Sequence, residues 1–156
     1  MKKSGPDRLS AARLAAVQAL YQMDIAGDGI EDVVAEFLAH RLANWTEDGQ
    51  AIDADPELFA TLARGAGAQR DEIDVLIVGA LAEGWTVERL EMLLRAVLRV
   101  GTFELMSSGE TPAKVVIDEY IEVAHAFFSK GPPGLVNGVL DRLAHELRPG
   151  EFDTAS

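Results

Sequence analysis

Apolar residues recur along this chain at three- and four-residue steps, the spacing that lines one face of an α-helix. No stretch of useful length alternates with period two. The pattern is densest from Glu88 to Met106, where Leu90, Leu93, Leu94, Val97, Leu98, Gly101 and Leu105 make one stripe. Met92, Ala96, Val100, Phe103 and Met106 fall outside that stripe, which confines the polar side to Glu88, Glu91, Arg95 and Arg99. A helix apolar on most of its circumference is packed against on several sides. At about 1.5 Å per residue this one spans roughly 30 Å, the width of a small domain. It is therefore expected to be a central strut, capped by Thr86, preceded by a helix that closes at Gly84, and carrying a Glu91–Arg95 ion pair.

The remaining segments read as helices on the same grounds. Arg8 to Ile25 places Leu14, Val17, Leu20 and Tyr21 together, with Gly27 as the stop. A second helix starts at Asp28, with Glu31 completing a capping box, and runs through Val33, Val34, Phe37, Leu38 and Leu42 to Trp45. The acidic stretch TEDGQAIDAD reads as a loop. Asp55 before Pro56 is an N-cap ahead of a first-turn proline, and Leu58, Phe59, Leu62, Ala63 and Ala66 form the face that follows. Gly65 and Gly67 within that helix imply either a bend or the close approach of another backbone. Ile73, Leu76, Ile77, Ala80 and Leu81 line the next helix. Thr111 and Pro112 launch another through Val116, Ile117, Tyr120, Ile121, Ala124, Phe127 and Phe128, which GPPG at 131–134 ends. Leu135, Val136, Val139, Leu140, Leu143 and Leu147 mark the last.

Length, cysteine content and charge narrow the picture. A chain of 156 residues suffices for one domain with a real core. It contains no cysteine, which excludes disulfides, thiolate metal sites and a cysteine nucleophile, and fits a reducing cytoplasm. No run has the apolar length of a signal peptide core or a membrane span, so a cytoplasmic protein is expected. The net charge of −12 argues against nucleic acid until its distribution is considered. Residues 1–23 carry Lys2, Lys3, Arg8 and Arg13 against Asp7 alone, whereas residues 24–57 carry ten acids against Arg41. Such polarity points to different partners at the two ends, or to ordinary solvated surface.

Catalytic patterns are thin. His40, His125 and His145 lie far apart, without metal-ligand spacing, and read as surface or helix-flank residues. Asp118, Glu119 and Glu122 cluster on one polar helix side, yet nothing in the sequence supplies the pocket that an acid–base pair needs. GPPG lacks the amides of a phosphate cradle. No catalytic residue, metal or cofactor is expected, and the protein is read as a binding module rather than an enzyme.

Several segments together resemble the NusB family of bacterial transcription antitermination factors. They are VQALYQMD at 17–24, Trp85 with Arg89 and Leu90, LRVGTFEL at 98–105, TPAKVVIDEYIEVAHAF at 111–127, and VNGVLD at 136–141. The resemblance implies an all-α fold of about seven helices in two small bundles sharing a long central helix. On this reading residues 1–156 are a single domain, with 1–8 a flexible basic arm and 149–156 a flexible tail. It implies pairing with NusE, a basic small-subunit ribosomal protein, binding of a single-stranded boxA element in ribosomal RNA leaders, and help for RNA polymerase past terminators. RNA contacts in the family fall on an arginine-rich N-terminal segment. Here Arg13 matches, Leu9 and Ser10 stand where some members have arginine, and Leu135 stands where some have phenylalanine.

The RNA-binding candidates are thus Lys2, Lys3, Arg8, Arg13, Lys114 and Lys130, and the NusE-facing candidates are Glu104, Asp118, Glu119 and Glu122. Family members differ in being monomers or dimers, so a homodimer stays open. Two other readings also stay open. NusB-like domains occur fused to ribosomal RNA methyltransferases, and this chain, ending at Ser156 without such a domain, would be an adaptor to one. A general acidic interaction module without RNA binding is the other.

Overall fold

The computed structural model describes residues 8–43, 45–47, 50–107, 110–128 and 132–152. Among them are seven α-helices: α1 (Arg8–Ala26), α2 (Ile30–His40), α3 (Pro56–Ala68), α4 (Arg70–Ala80), α5 (Met92–Met106), α6 (Ala113–Phe127) and α7 (Pro132–Leu147). The chain divides into two compact units, Met1–Ala68 and Gln69–Ser156.

In the first unit α1, α2 and α3 pack on one another. Ala12, Ala15, Ala16, Val17, Ala19 and Leu20 are fully buried around most of α1, while Tyr21, expected inside, is exposed. Small side chains on successive positions let neighbours approach α1 from more than one side. Gly27 ends it as expected: its φ is +78°, and its N–H donates to the Met23 carbonyl at 2.8 Å.

The capping box at Glu31 does not form. Gly29 precedes α2 without a side-chain cap, and Glu31 instead accepts from Arg64 Nε of α3 at 3.1 Å. Asp55 does cap α3, its carboxylate accepting the Leu58 N–H at 2.9 Å. Phe37 and Phe59 stack across α2 and α3 with ring centroids 5.4 Å apart, and Arg41 lies over the Phe37 ring at 4.5 Å. α3 runs unbroken through its glycines, and what comes close at Gly67 is the Ile30 side chain of α2 rather than another backbone. A Cβ on Gly67 would stand 2.9 Å from Ile30 Cγ1, so α2 reaches α3 only with glycine there.

The expectation of helix as far as Trp45 is corrected. α2 stops at His40, with the Arg41 N–H donating to the Phe37 carbonyl at 2.8 Å. Beyond it β1 (Trp45–Glu47) and β2 (Gln50–Ile52) pair antiparallel in the register Trp45↔Ile52, Thr46↔Ala51, Glu47↔Gln50. Tryptophan, threonine and isoleucine favour strands, and an Asp-Gly pair such as 48–49 is a preferred sequence between hairpin strands. The fold class remains all-α.

In the second unit α5 packs against α4, α6 and α7. Every residue from Ala96 to Leu105 is buried. The strut is thus present but shorter than expected, 15 residues or roughly 22 Å. Val87–Arg89 forms a separate 3-10 turn, and extended backbone at Leu90 divides it from α5. Neither Thr86 nor Glu91 supplies a side-chain cap. The Arg95 guanidinium donates to the carbonyls of Leu90 and Glu88 at 2.9 and 2.8 Å, which occupies the group expected to pair with Glu91. Helix α4 ends at Ala80 rather than at Gly84, which sits in the following turn with φ +91°. At Gly101 an added Cβ would lie 3.0 Å from Leu140 and 3.3 Å from Tyr120, so this glycine lets α6 and α7 close on α5.

Candidate nucleic-acid and partner interface

Of the six candidate RNA-binding cations, Lys2, Lys3 and Lys130 lie outside the described residues. Arg8 is exposed at the start of α1 in the first unit, where its Nε donates to the Asp53 carbonyl at 3.3 Å. Lys114 is exposed in the first turn of α6 in the second unit. Arg13 is only 4% exposed, among the buried alanines of α1. This corrects its assignment, because a guanidinium packed there is part of the helix interface and cannot reach a phosphate.

The four carboxylates divide in the same way. Asp118 and Glu122 are exposed one turn apart on α6, with Glu119 half-buried beside them. Glu104 is 6% exposed and accepts the Tyr120 hydroxyl at 2.7 Å. It cannot present a charge to a partner. The reason lies in α5 itself, whose burial is so complete that even its polar positions turn inward. Arg99 is the second case: expected on a polar strip, it is buried and forms a two-bond pair with Asp74 of α4 at 2.8 and 2.9 Å.

Lys114, Val115, Asp118, Glu122 and His125 are all exposed on α6, at helical spacing. One helix side therefore carries both a candidate cation for RNA and the candidate carboxylates for a partner. His40 and His145 are exposed as well; the His145 ring stacks on Phe152 with centroids 3.9 Å apart. Among the described residues no group of three or more histidine, aspartate or glutamate side chains is placed to hold a metal.

Two further features were not anticipated. Trp85 is exposed, with the Arg89 guanidinium 4.9 Å over its ring. The other is the C-terminal segment, expected as a flexible tail but folded over Pro149–Glu151 as a 3-10 turn. Arg148 is buried and donates to the carbonyls of Leu105, Glu104 and Thr111 at 3.0, 3.0 and 2.6 Å. It also donates to Glu151 Oε2 at 3.0 Å. Glu151 Oε1 accepts the Ala113 N–H at 2.8 Å at the start of α6. The helix-terminal amide of Ala113, and then Arg148, hold the Glu151 carboxyl below its usual range. The clasp is therefore complete at neutral pH, and Glu151's contribution fades as pH falls from the ordinary carboxylate value through the lowered one. An arginine followed three residues later by glutamate was the only signal in the sequence.

With these positions in view, the chain's likenesses carry weight. The NusB family model matches residues 10–145. A transcription antitermination protein NusB from Bradyrhizobium sp. (strain ORS 278) is 48% identical over 94% of this chain and 87% of its own length. Among solved structures, T. maritima NusB superposes with a TM-score of 0.76 at 30% identity, covering 98% of this chain and 99% of that one. A chain from the crystal structure of antitermination factors NusB and NusE in complex with dsRNA gives 0.71 at 24% identity, over 88% of this chain and 96% of that one, a likeness of fold.

Proposed function

The chain belongs to the NusB family, and from that premise we propose that it is a transcription antitermination factor that pairs with NusE. Together they hold a boxA-type single-stranded RNA and help RNA polymerase past terminators in ribosomal RNA operons. The observation that carries this reading is the 48% identity, across 94% of the chain, to a relative bearing that function in its name. The fold shared with a NusB chain from a complex with NusE and RNA supports the choice of partners. The protein works as a binding factor and not as an enzyme. Its place is the bacterial cytoplasm, where transcription occurs; no helix among the described residues is long and apolar enough to cross a membrane.

Phosphate contacts fall to Arg8 and Lys114, both exposed, with Lys2, Lys3 and Lys130 as further cations. Charge within reach matters more for such contacts than fixed geometry. Asp118, Glu119 and Glu122 face the basic partner. With about three single-strand phosphates neutralised by Lys2, Lys3 and Arg8, these residues contribute close to −2 to the slope of log affinity against log salt, at about 0.7 per phosphate. Replacing all three by alanine flattens the slope of boxA binding in the NusE complex by that amount. A slope unchanged by the replacement would move the RNA to other cations.

A further inference from the structure

Helix α6 starts without the local devices that hold a helix end. Pro112 precedes it and supplies no side-chain hydrogen bond, and its first turn contains no acidic residue. That turn instead carries Lys114, exposed, whose positive charge sits at the positive end of the helix dipole. α3 shows the ordinary arrangement, with Asp55 immediately before it accepting the Leu58 N–H. A lysine where the backbone favours an anion costs stability, so the start of α6 needs an anchor from elsewhere.

The C-terminal turn supplies that anchor from 38 residues away. Glu151 Oε1 accepts the Ala113 N–H at 2.8 Å, and Arg148 donates to the Thr111 carbonyl at 2.6 Å. The two side chains are joined by their own ion pair at 3.0 Å, and Arg148 is fastened to the carbonyls of Glu104 and Leu105 in α5. Ala113 is buried and Lys114 follows it directly, so the backbone that aims the lysine outward is held just before it. The missing negative charge at the helix end is thus delivered by tertiary structure, which leaves the first turn free to present a cation.

We propose that Arg148 and Glu151 are positioning residues for RNA binding: the C-terminal turn fixes the first turn of α6 and so sets Lys114 against a phosphate. The inference rests on the reading of Lys114 as a phosphate contact given above. It makes the turn a clasp that opens locally, freeing the start of α6 while the buried middle of α5 stays packed. Variants of Glu151 test it, because they leave Arg148 and its bonds to α5 in place.

Amide hydrogen exchange, read residue by residue, and boxA affinity in the NusE complex are measured for wild type, Glu151→Ala, Glu151→Gln, Lys114→Ala and the double alanine variant. Glu151→Ala is expected to speed exchange at Ala113 about tenfold or more, as loss of a hydrogen bond to a charged group does. Val100, in the buried middle of α5, exchanges as in wild type. Glu151→Gln keeps an acceptor without the charge and recovers part of the protection. Lys114→Ala weakens boxA binding several-fold. Glu151→Ala weakens it too, although removal of a carboxylate would by charge alone tighten a phosphate contact. The double variant binds no worse than Lys114→Ala, since both changes remove one contact. Unchanged exchange at Ala113 in Glu151→Ala overturns the clasp, and so does equal acceleration at Val100, the mark of a general stabiliser. Additive losses in the double variant, or wild-type boxA affinity in Glu151→Ala, overturn the positioning role. These outcomes leave the phosphate contact intact, whereas Lys114→Ala protein that binds boxA like wild type removes that contact and this inference together.

Discussion

Leu98→Ala is expected to destabilise the protein by about 2–5 kcal/mol, through the lost transfer energy of a buried side chain and the cavity left behind. Leu98 is fully buried near the middle of α5, the helix on which α4, α6 and α7 converge. Its neighbours along the helix are buried on both sides, which leaves little room for the site to collapse. Denaturant unfolding followed by circular dichroism reads the change directly. A loss below about 1 kcal/mol would mean that α5 is not the structural centre of the second unit.

Arg148→Ala is expected to cost a comparable amount, about 3–5 kcal/mol, for a different reason. The guanidinium ties carbonyls at the end of α5 and at Thr111 to the Glu151 carboxylate, which in turn caps α6. Hydrogen bonds to a charged group contribute about 1.5–3 kcal/mol each, less than additively when they share one donor group, and their removal leaves buried acceptors unpaired. Arg148→Lys should recover only part of the loss, because an ammonium cannot reproduce the planar fork. Unfolding of both variants at neutral pH checks this; an alanine variant within about 1 kcal/mol of wild type would show that the clasp is incidental.

The elements that were legible in the sequence are those whose signals are local. Gly27 as a left-handed stop, Asp55 before Pro56 as a cap, and the stripe through Leu94, Val97, Leu98 and Leu105 each depend on a few neighbouring positions and came out as read. Several readings failed on a partner distant in sequence. Glu31 looked like half of a capping box because Arg64 was not in view, and Arg99 looked solvated because Asp74 was not. Glu104 and Arg13 failed as binding residues for the same cause: charge can be counted along a chain, but burial is decided by what packs on it. The pairing of β1 with β2 had a cue in the sequence Asp48-Gly49, outweighed by the helical spacing that ran into Trp45. The family resemblance, carried by contiguous motifs, was readable where individual contacts were not.

This protein and NusE are expected to act on boxA RNA as a pair. A gel shift of labelled boxA RNA with this protein alone, with NusE alone and with both checks this, against a scrambled RNA of equal length. A shifted complex should form at far lower protein concentration with both proteins than with either one, with little shift of the scrambled strand. Equal shifts of the two RNAs, or a shift by NusE that this protein does not enhance, would contradict it.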